Sequence, residues 1–315
     1  MRLLIQIPCY NEAATLPATL ADLPRRVDGF DEVEVVVIDD GSSDGTAEVA
    51  RAQGVKHVVR FAANRGLAAA FKAGLEKALD LDADVIVNTD ADNQYPGSAI
   101  PALVRPILDG AADLVVGVRN IEAIDHFSPG KKKLQRMGSW VVRRFAGLKV
   151  EDTTSGFRAI SRRAALRLNV LTRYTYTLET LIQAGRENLA VATVPITINA
   201  KTRESRLIRS TPGYVWRSAI AILRMYVTYE PMRALGSVGA ALFAVGALIG
   251  LRFLYYYVTQ GGQGHVQSLI LAAVLLIIGF QVGVLGILAD LSATNRRLLE
   301  ELLVRARGRR EDDRH

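Results

Sequence analysis

Four short polar segments of this chain carry residue types that could do chemistry, and they come in a telling order. The first, Pro8-Cys9-Tyr10-Asn11-Glu12, closes a short apolar run. The second, Asp39-Asp40-Gly41-Ser42-Ser43-Asp44-Gly45-Thr46, closes another. Its leading carboxylates can accept hydrogen bonds from ribose hydroxyls or base N–H groups, although Asp-Gly and Ser-Asp pairs also serve as ordinary turn and cap residues. The third, Asp90-Ala91-Asp92-Asn93-Gln94, follows the apolar run 85–88. Two carboxylates two residues apart at a strand end can be aimed at one hard cation, and oxygen ligands suit Mg2+ or Mn2+. Such an ion would stabilise the charge that builds on a departing diphosphate. Taken alone, an Asp-x-Asp is equally at home in a surface loop. The fourth segment, Asp152-Thr153-Thr154-Ser155-Gly156-Phe157-Arg158, is followed by Tyr174-Thr175-Tyr176 and Glu179. Its plain alternative is a polar loop that opens a strand.

The elements that must position these residues can be read from hydrophobic periodicity. Residues 3–7, 33–38, 55–61, 85–88 and 114–117 are short β-rich runs, and segments of helical period lie between them at 12–24, 44–54, 66–79 and 98–109. Strands alternating with helices of this length predict βαβ units and a mostly parallel sheet. A run such as Val35-Val36-Val37-Ile38 fits a strand buried on both faces. Ligands of such sheets bind where the strands end, which is where the four polar segments fall. The lone Cys9 excludes an internal disulfide and reads as a small buried residue of the first strand. The N-terminal apolar run is stopped by Pro8, Asn11 and Glu12 too early for a signal peptide, so the catalytic part is expected to stay on the side where it is made.

After residue 200 the texture changes. Residues 205–230 interleave Arg206, Arg209, Arg217 and Arg224 with apolar and aromatic side chains, the pattern of amphipathic helices in a membrane interface or of a packed surface helix. No charge occurs between Arg233 and Arg252, and a second uncharged run extends from Val266 to Ala289. Each is long enough to cross a hydrocarbon core of about 30 Å at ~20 residues per helix. A buried helical hairpin of a soluble protein is the alternative. The connecting residues 259–267 hold no Lys or Arg, whereas Arg296, Arg297 and a basic tail follow the second run. The positive-inside rule then places both termini and the sheet domain in the cytoplasm and the short loop outside, in a multi-pass protein of the inner (cytoplasmic) membrane. The net charge of +7 is modest, and its Lys and Arg cluster around the apolar region. That favours an anionic lipid surface as partner over a nucleic acid. The expected organisation is a cytoplasmic sheet domain at 1–200, amphipathic juxtamembrane helices at 201–232, a two-helix transmembrane anchor at 233–291 and a basic cytoplasmic tail at 292–315. Glycines at 236, 239, 246 and 250 and at 279, 283 and 286 could pack helices within one chain or between chains of a homo-oligomer.

Asn11-Glu12, the run 39–46, Asp90-Ala91-Asp92-Asn93-Gln94, Gly117-Val118-Arg119 and the run 152–158 occur in this order and at suitable spacing. Together they resemble the inverting GT-A glycosyltransferases of the dolichol-phosphate mannose synthase type. The bacterial polyprenyl-phosphate glycosyltransferases with two C-terminal membrane helices are the nearest match. The resemblance covers about residues 1–200; the membrane part matches in architecture only. It implies a Rossmann-like GT-A sheet domain and a metal-dependent transfer of a sugar from a UDP- or GDP-sugar to a polyprenyl (undecaprenyl or dolichyl) phosphate. It further implies that Pro8, Tyr10, Glu12, Asp39 and Asp40 line the nucleotide pocket. Asp90, Asp92 and Gln94 would hold Mg2+ or Mn2+ and the diphosphate. Arg119, with a basic stretch containing Arg136 and Ser139, would receive the acceptor phosphate, and Asp152 occupies the position often proposed as base or sugar-binding carboxylate. Two departures lie near the acceptor phosphate: Val118 where relatives commonly have Ser, and Arg143 where many have Asn.

Physical chemistry makes the base role the weaker one. A phosphate monoester carries a charge of roughly −1.5 to −2 near neutral pH, so its oxygen attacks an anomeric carbon without help from a strong base. Two other readings compete. A processive polysaccharide synthase usually has more membrane helices and a Gln-x-x-Arg-Trp motif, which Gln135-Arg136-Met137-Gly138-Ser139-Trp140 does not supply. The other is an inactive membrane scaffold or flippase partner that binds nucleotide-sugars. A dinucleotide-dependent dehydrogenase is disfavoured, because no Gly-x-Gly-x-x-Gly follows the first strand.

Overall fold

The structure, a computed structural model, describes residues 1–119, 147–148, 150, 152–170, 176–199, 220, 226–227, 230–261 and 266–312. The chain divides into two compact units, Met1–Arg217 with Arg307–His315, and Ser218–Ala306.

The first unit is built on a sheet of seven strands. In chain order its elements are β1 (Arg2–Cys9), α1 (Leu16–Asp22), β2 (Glu32–Asp39), α2 (Thr46–Ala52), β3 (His57–Arg60), α3 (Leu67–Asp80), β4 (Val85–Asn88), α4 (Ile100–Leu108), β5 (Leu114–Arg119), β6 (Arg158–Ser161), α5 (Arg162–Arg167), α6 (Tyr176–Arg186) and β7 (Val191–Ile196). The predicted strands are all present, with β3 beginning at His57 rather than at Val55 and β5 running on to Arg119. α1, α2 and α4 are shorter than the periodic segments, whereas α3 matches its segment with a shift of one residue. Pro101 lies in the first turn of α4, where its missing N–H costs nothing.

The strand order is β3-β2-β1-β4-β6-β5-β7. Neighbours pair in parallel except at β6, which runs antiparallel to both β4 and β5. The predicted mostly parallel sheet is therefore correct, and the reversed strand is what periodicity did not disclose. Its consequence is positional. β6 begins at Arg158 opposite Asn88 of β4 and Val116 of β5. The 152–157 segment thus enters the sheet at the edge where β1, β2, β4 and β5 end, and it is the polar loop opening a strand that the sequence allowed.

The interior strand β1 is buried from Leu3 through Cys9, as expected for a strand covered on both faces. Leu3, Ile5, Ile7, Val37, Val87, Ile100, Val115 and Phe157 belong to one apolar cluster. Cys9 is part of that cluster, and burial raises its thiol pKa well above the ordinary value, with Glu12 and Asp39 adding to the shift.

The second unit holds the long helix α7 (Pro231–Gln260) and all but the last residues of α8 (Val266–Asp312). Both contain segments long and apolar enough to cross a membrane: Pro231–Thr259 with mean hydropathy 2.1 and Val266–Arg296 with 2.6. Only 11% and 17% of their most apolar stretches are buried, which sets them apart from the core helices of a soluble protein. The basic segment expected as a tail from residue 292 continues α8 as helix to Asp312. The juxtamembrane segment 201–232 lies outside the described residues but for Ile220, Tyr226, Val227 and residues 230–232.

Candidate active site

At the carboxyl edge of the sheet the loop after β1 and the turn after β2 are tied together. Asn11 adopts a left-handed backbone, φ 55°, and its N–H donates to Ser42 Oγ at 2.9 Å. The Asn11 side-chain oxygen accepts from the Ser43 N–H, also at 2.9 Å. The Glu12 N–H donates to Thr46 Oγ1 at 2.9 Å, and its carboxylate accepts from Thr15 Oγ1 at 2.7 Å. Gly41 turns the chain at φ 71°, and a methyl there would lie 2.5 Å from the Ala63 carbonyl carbon. Only glycine fits that turn.

Neighbouring Asp39 and Asp40 have different occupations. Both oxygens of Asp40 are taken by backbone, the N–H of Arg65 at 2.7 Å and of Gly66 at 2.9 Å, so this carboxylate shapes the approach to α3. Asp39 is fully buried, and its Oδ1 accepts from the Ser42 N–H at 2.9 Å. Its Oδ2 lies 3.3 Å from Arg60 Nε, near enough for charge pairing, yet no hydrogen bond forms there. A buried acceptor oxygen in this state is a ready partner for a ligand donor. Pro8 is buried within β1, and Tyr10 is 45% exposed. Of the residues expected to line a nucleotide pocket, Tyr10 and Glu12 follow β1, and Asp39 and Asp40 stand at the matching end of β2, its parallel neighbour.

β4 delivers the acidic pair. Asp90 and Asp92 follow the strand end and are both half-buried. Asp92 Oδ1 accepts from the Gln94 N–H at 3.2 Å, and the Gln94 carbonyl accepts from the Asn199 N–H at 2.9 Å. Both of these bonds run through the Gln94 backbone. No cluster of three His, Cys, Asp or Glu side chains exists among the described residues. Two carboxylates fit a divalent ion whose other positions are filled by phosphate oxygens and water, the usual mode for Mg2+.

Arg119 ends β5 and Asp152 precedes β6, and the structure pairs them. Arg119 Nε donates to Asp152 Oδ2 at 2.6 Å and its Nη2 to Oδ1 at 3.1 Å, a two-point pair. Asp152 is fully buried and its Oδ1 also accepts from Thr154 Oγ1 at 2.9 Å. Thr154 Oγ1 in turn accepts from Arg119 Nη2 at 3.1 Å. Burial works against the guanidinium's charge, but Tyr95, the hydrogen-bonded Asp152 and Asp90 outweigh it and hold its pKa above the ordinary value. Both oxygens of this carboxylate are thus engaged by one guanidinium.

Beneath this pair lies Arg158, fully buried. It donates to the carbonyls of Ser155 (2.9 Å), Thr177 (2.8 Å) and Thr153 (3.1 Å), which fastens the 152–157 loop to α6. Burial lowers its pKa to about 10, against the raising effect of Tyr176 and Asp152. Tyr95 stacks on Phe157 at 5.1 Å, and burial pushes its phenol up to about 12. Arg136 and Ser139, with Lys131, Lys132, Lys133 and Arg143, lie outside the described residues.

The sequence reading assigned no role to Asn88, Tyr95, Thr154, Gly156 or Arg158. A signal existed for Asn88: an amide closing the buried run Val85-Ile86-Val87 must find partners inside the protein.

Residues 4–168 match the family described as glycosyl transferase family 2, which is more than half of the chain. The chain belongs to glycosyl transferase family 2. Two relatives illustrate how far this membership reaches. The undecaprenyl-phosphate mannosyltransferase of Micrococcus luteus is 30% identical over 74% of this chain and 98% of its own length. The undecaprenyl-phosphate 4-deoxy-4-formamido-L-arabinose transferase of Shewanella sediminis is 28% identical over 95% of this chain and 92% of its own. Among solved structures, glucosyl-3-phosphoglycerate synthase of Mycobacterium tuberculosis, in complex with Mn2+, UDP-glucose and phosphoglyceric acid, superimposes with a TM-score of 0.55 at 22% identity. It covers 70% of this chain and 79% of that one. The sheet is thus of the GT-A type, and the acidic segment after β4 and the segment entering β6 lie at one end of it.

Proposed function

We propose that this chain is a membrane-bound glycosyltransferase that moves a sugar, with inversion, from a nucleotide-sugar to a polyprenyl phosphate. The observation that carries the reading is the two-sided edge of the sheet: an acidic pair, Asp90 and Asp92, on one strand end and a carboxylate-held guanidinium, Arg119, on another. The names of the relatives, transferases acting on undecaprenyl phosphate, supply the acceptor class, and two apolar helices in the same chain suit a lipid-borne acceptor.

In this mechanism Tyr10, Glu12 and Asp39 bind the nucleoside, with the unbonded Oδ2 of Asp39 taking a hydrogen bond from base or ribose. Asp90 and Asp92 would hold a divalent ion, Mg2+ or Mn2+, that offsets the charge developing on the departing diphosphate. Arg119 draws the acceptor phosphate into line. A phosphate oxygen forms the new bond at the anomeric carbon while the bond to the diphosphate breaks, and no proton has to be removed. Asp152 is then a positioning residue, which keeps Arg119 extended and charged. The catalytic unit comprises residues 1–200, with 201–232 along the interface. Both termini lie on the cytoplasmic side.

The test is nucleoside diphosphate release by the purified protein in detergent, over a panel of UDP- and GDP-sugars with Mg2+ or Mn2+, with and without polyprenyl phosphate. The reading requires release that depends on lipid and metal and is abolished in Asp92→Ala. Release that ignores the lipid, or none with any donor, would favour a nucleotide-sugar-binding scaffold.

A further inference from the structure

Asp90 has a floor that the proposed reaction does not use. Two residues before it, Asn88 is fully buried at the end of β4. Its Oδ1 accepts from Gln6 Nε2 at 2.8 Å, and its Nδ2 donates to the Gly156 carbonyl at 2.7 Å and to the Tyr176 phenol oxygen at 3.0 Å. A phenol that accepts from an amide still has its own proton to give.

What lies beyond that phenol is read from Gly156. A methyl placed on Gly156 would be 2.9 Å from the Tyr176 phenol oxygen and 3.1 and 3.3 Å from the two oxygens of Asp90. The phenol oxygen and both carboxylate oxygens therefore border the same small space beside one glycine, which any side chain there would fill. The phenol itself has little freedom. Its ring stacks on Phe71 with centroids 3.9 Å apart and planes 12° apart, and the Arg158 guanidinium stands 5.9 Å over it. Arg158 is locked in turn by the carbonyls of the 153–155 loop and of Thr177.

We propose that Tyr176, oriented by Asn88, is a positioning residue for the Asp90 carboxylate, and that Gly156 is the spacer that lets the two approach. The phenol would steady the Asp90 carboxylate that would help to hold the divalent ion. Groups that orient a metal-binding side chain from behind in this way typically change metal affinity by about 10–100-fold when removed. The inference rests on the reading above that Asp90 helps to hold a divalent ion.

The experiment is Mn2+ titration of the full-length protein in detergent with saturating UDP or GDP, read from the free-ion paramagnetic resonance signal. Tyr176→Phe keeps the ring stack and removes only the hydroxyl. It is expected to weaken Mn2+ binding about tenfold, while nucleotide binding without metal stays at the wild-type level. Gly156→Ala, which introduces the obstructing methyl, should move Mn2+ affinity in the same direction. Wild-type Mn2+ affinity in Tyr176→Phe, or an equal loss of metal-free nucleotide binding, overturns the proposal. Asp90→Ala separates the two levels. If it leaves Mn2+ binding unchanged, the metal reading of the acidic pair falls; if it weakens binding and Tyr176→Phe does not, only the positioning role falls.

Discussion

The sheet unit and the helical pair solve packing in opposite ways. In the sheet, branched side chains such as Ile5, Ile86 and Val115 are wholly buried, and the core is held by their bulk. In the helical pair the large side chains point outward, Leu248 at 66% and Ile277 at 58% exposure, and the helices meet through the absence of side chains. A methyl on Gly239 would lie 2.8 Å from the Gly279 carbonyl oxygen, and one on Gly279 would lie 2.6 Å from the Phe243 backbone nitrogen. In water, burying apolar area drives association. Among lipid tails that drive vanishes, and close backbone approach through small residues takes its place. The same composition, rich in Leu, Ile, Val, Ala and Gly, thus does different work in two solvents.

Charge sharpens the contrast. The sheet unit buries Asp152 against Arg119, whereas neither apolar run, 234–251 or 266–289, contains a charge. The largest effect is therefore expected at this pair. Asp152→Ala leaves a mostly buried guanidinium without its counterion, at a cost of about 3–5 kcal/mol, which thermal unfolding in detergent will read. In Asp152→Asn the KM for polyprenyl phosphate should rise more than that for the donor, with the pH dependence of kcat keeping its wild-type form. Loss of a titrating limb would return the base role to Asp152.

Next in size is the loss of bulk. Ile86→Ala should destabilise the sheet unit by about 2–5 kcal/mol, while Ile277→Ala on the outward face of α8 should leave the unfolding temperature almost unchanged. Equal losses would mean that the two regions are packed by the same force. The smallest effect is the gain of bulk. Gly279→Leu should cost about 1–3 kcal/mol by forcing the helices apart. Gly250→Leu should be quiet, because a methyl there meets only the Ala272 Cβ, at the ordinary contact distance of 3.9 Å.

Much of the site is legible in the order of residues alone. Asp90 and Asp92 stand out because carboxylates at the end of the buried run Val85–Asn88 are costly unless they serve something. Asp39 is readable for the same reason, but not its difference from Asp40, since which backbone N–H groups each oxygen meets depends on where the 64–66 loop passes. The small residues of the helical pair are visible too. Whether they pack within one chain is not, and the structure brings Gly239 and Gly246 against the 272–283 stretch of the same chain.

Local properties settled what the sequence by itself could determine: period, run length and charge. They suffice for alternating strands and helices, an acidic strand end and two apolar runs with basic flanks, because each is decided within about 20 residues by burial and geometry. The tertiary structure alone decided that β6 inserts in reverse between β4 and β5. That reversal sets Arg158 opposite Asn88, joins Asp152 to Arg119 and brings Tyr176 to Asn88, 88 positions earlier in the chain. Pairings of this kind depend on which strands find each other across the whole sheet, and no local pattern of side chains encodes the choice.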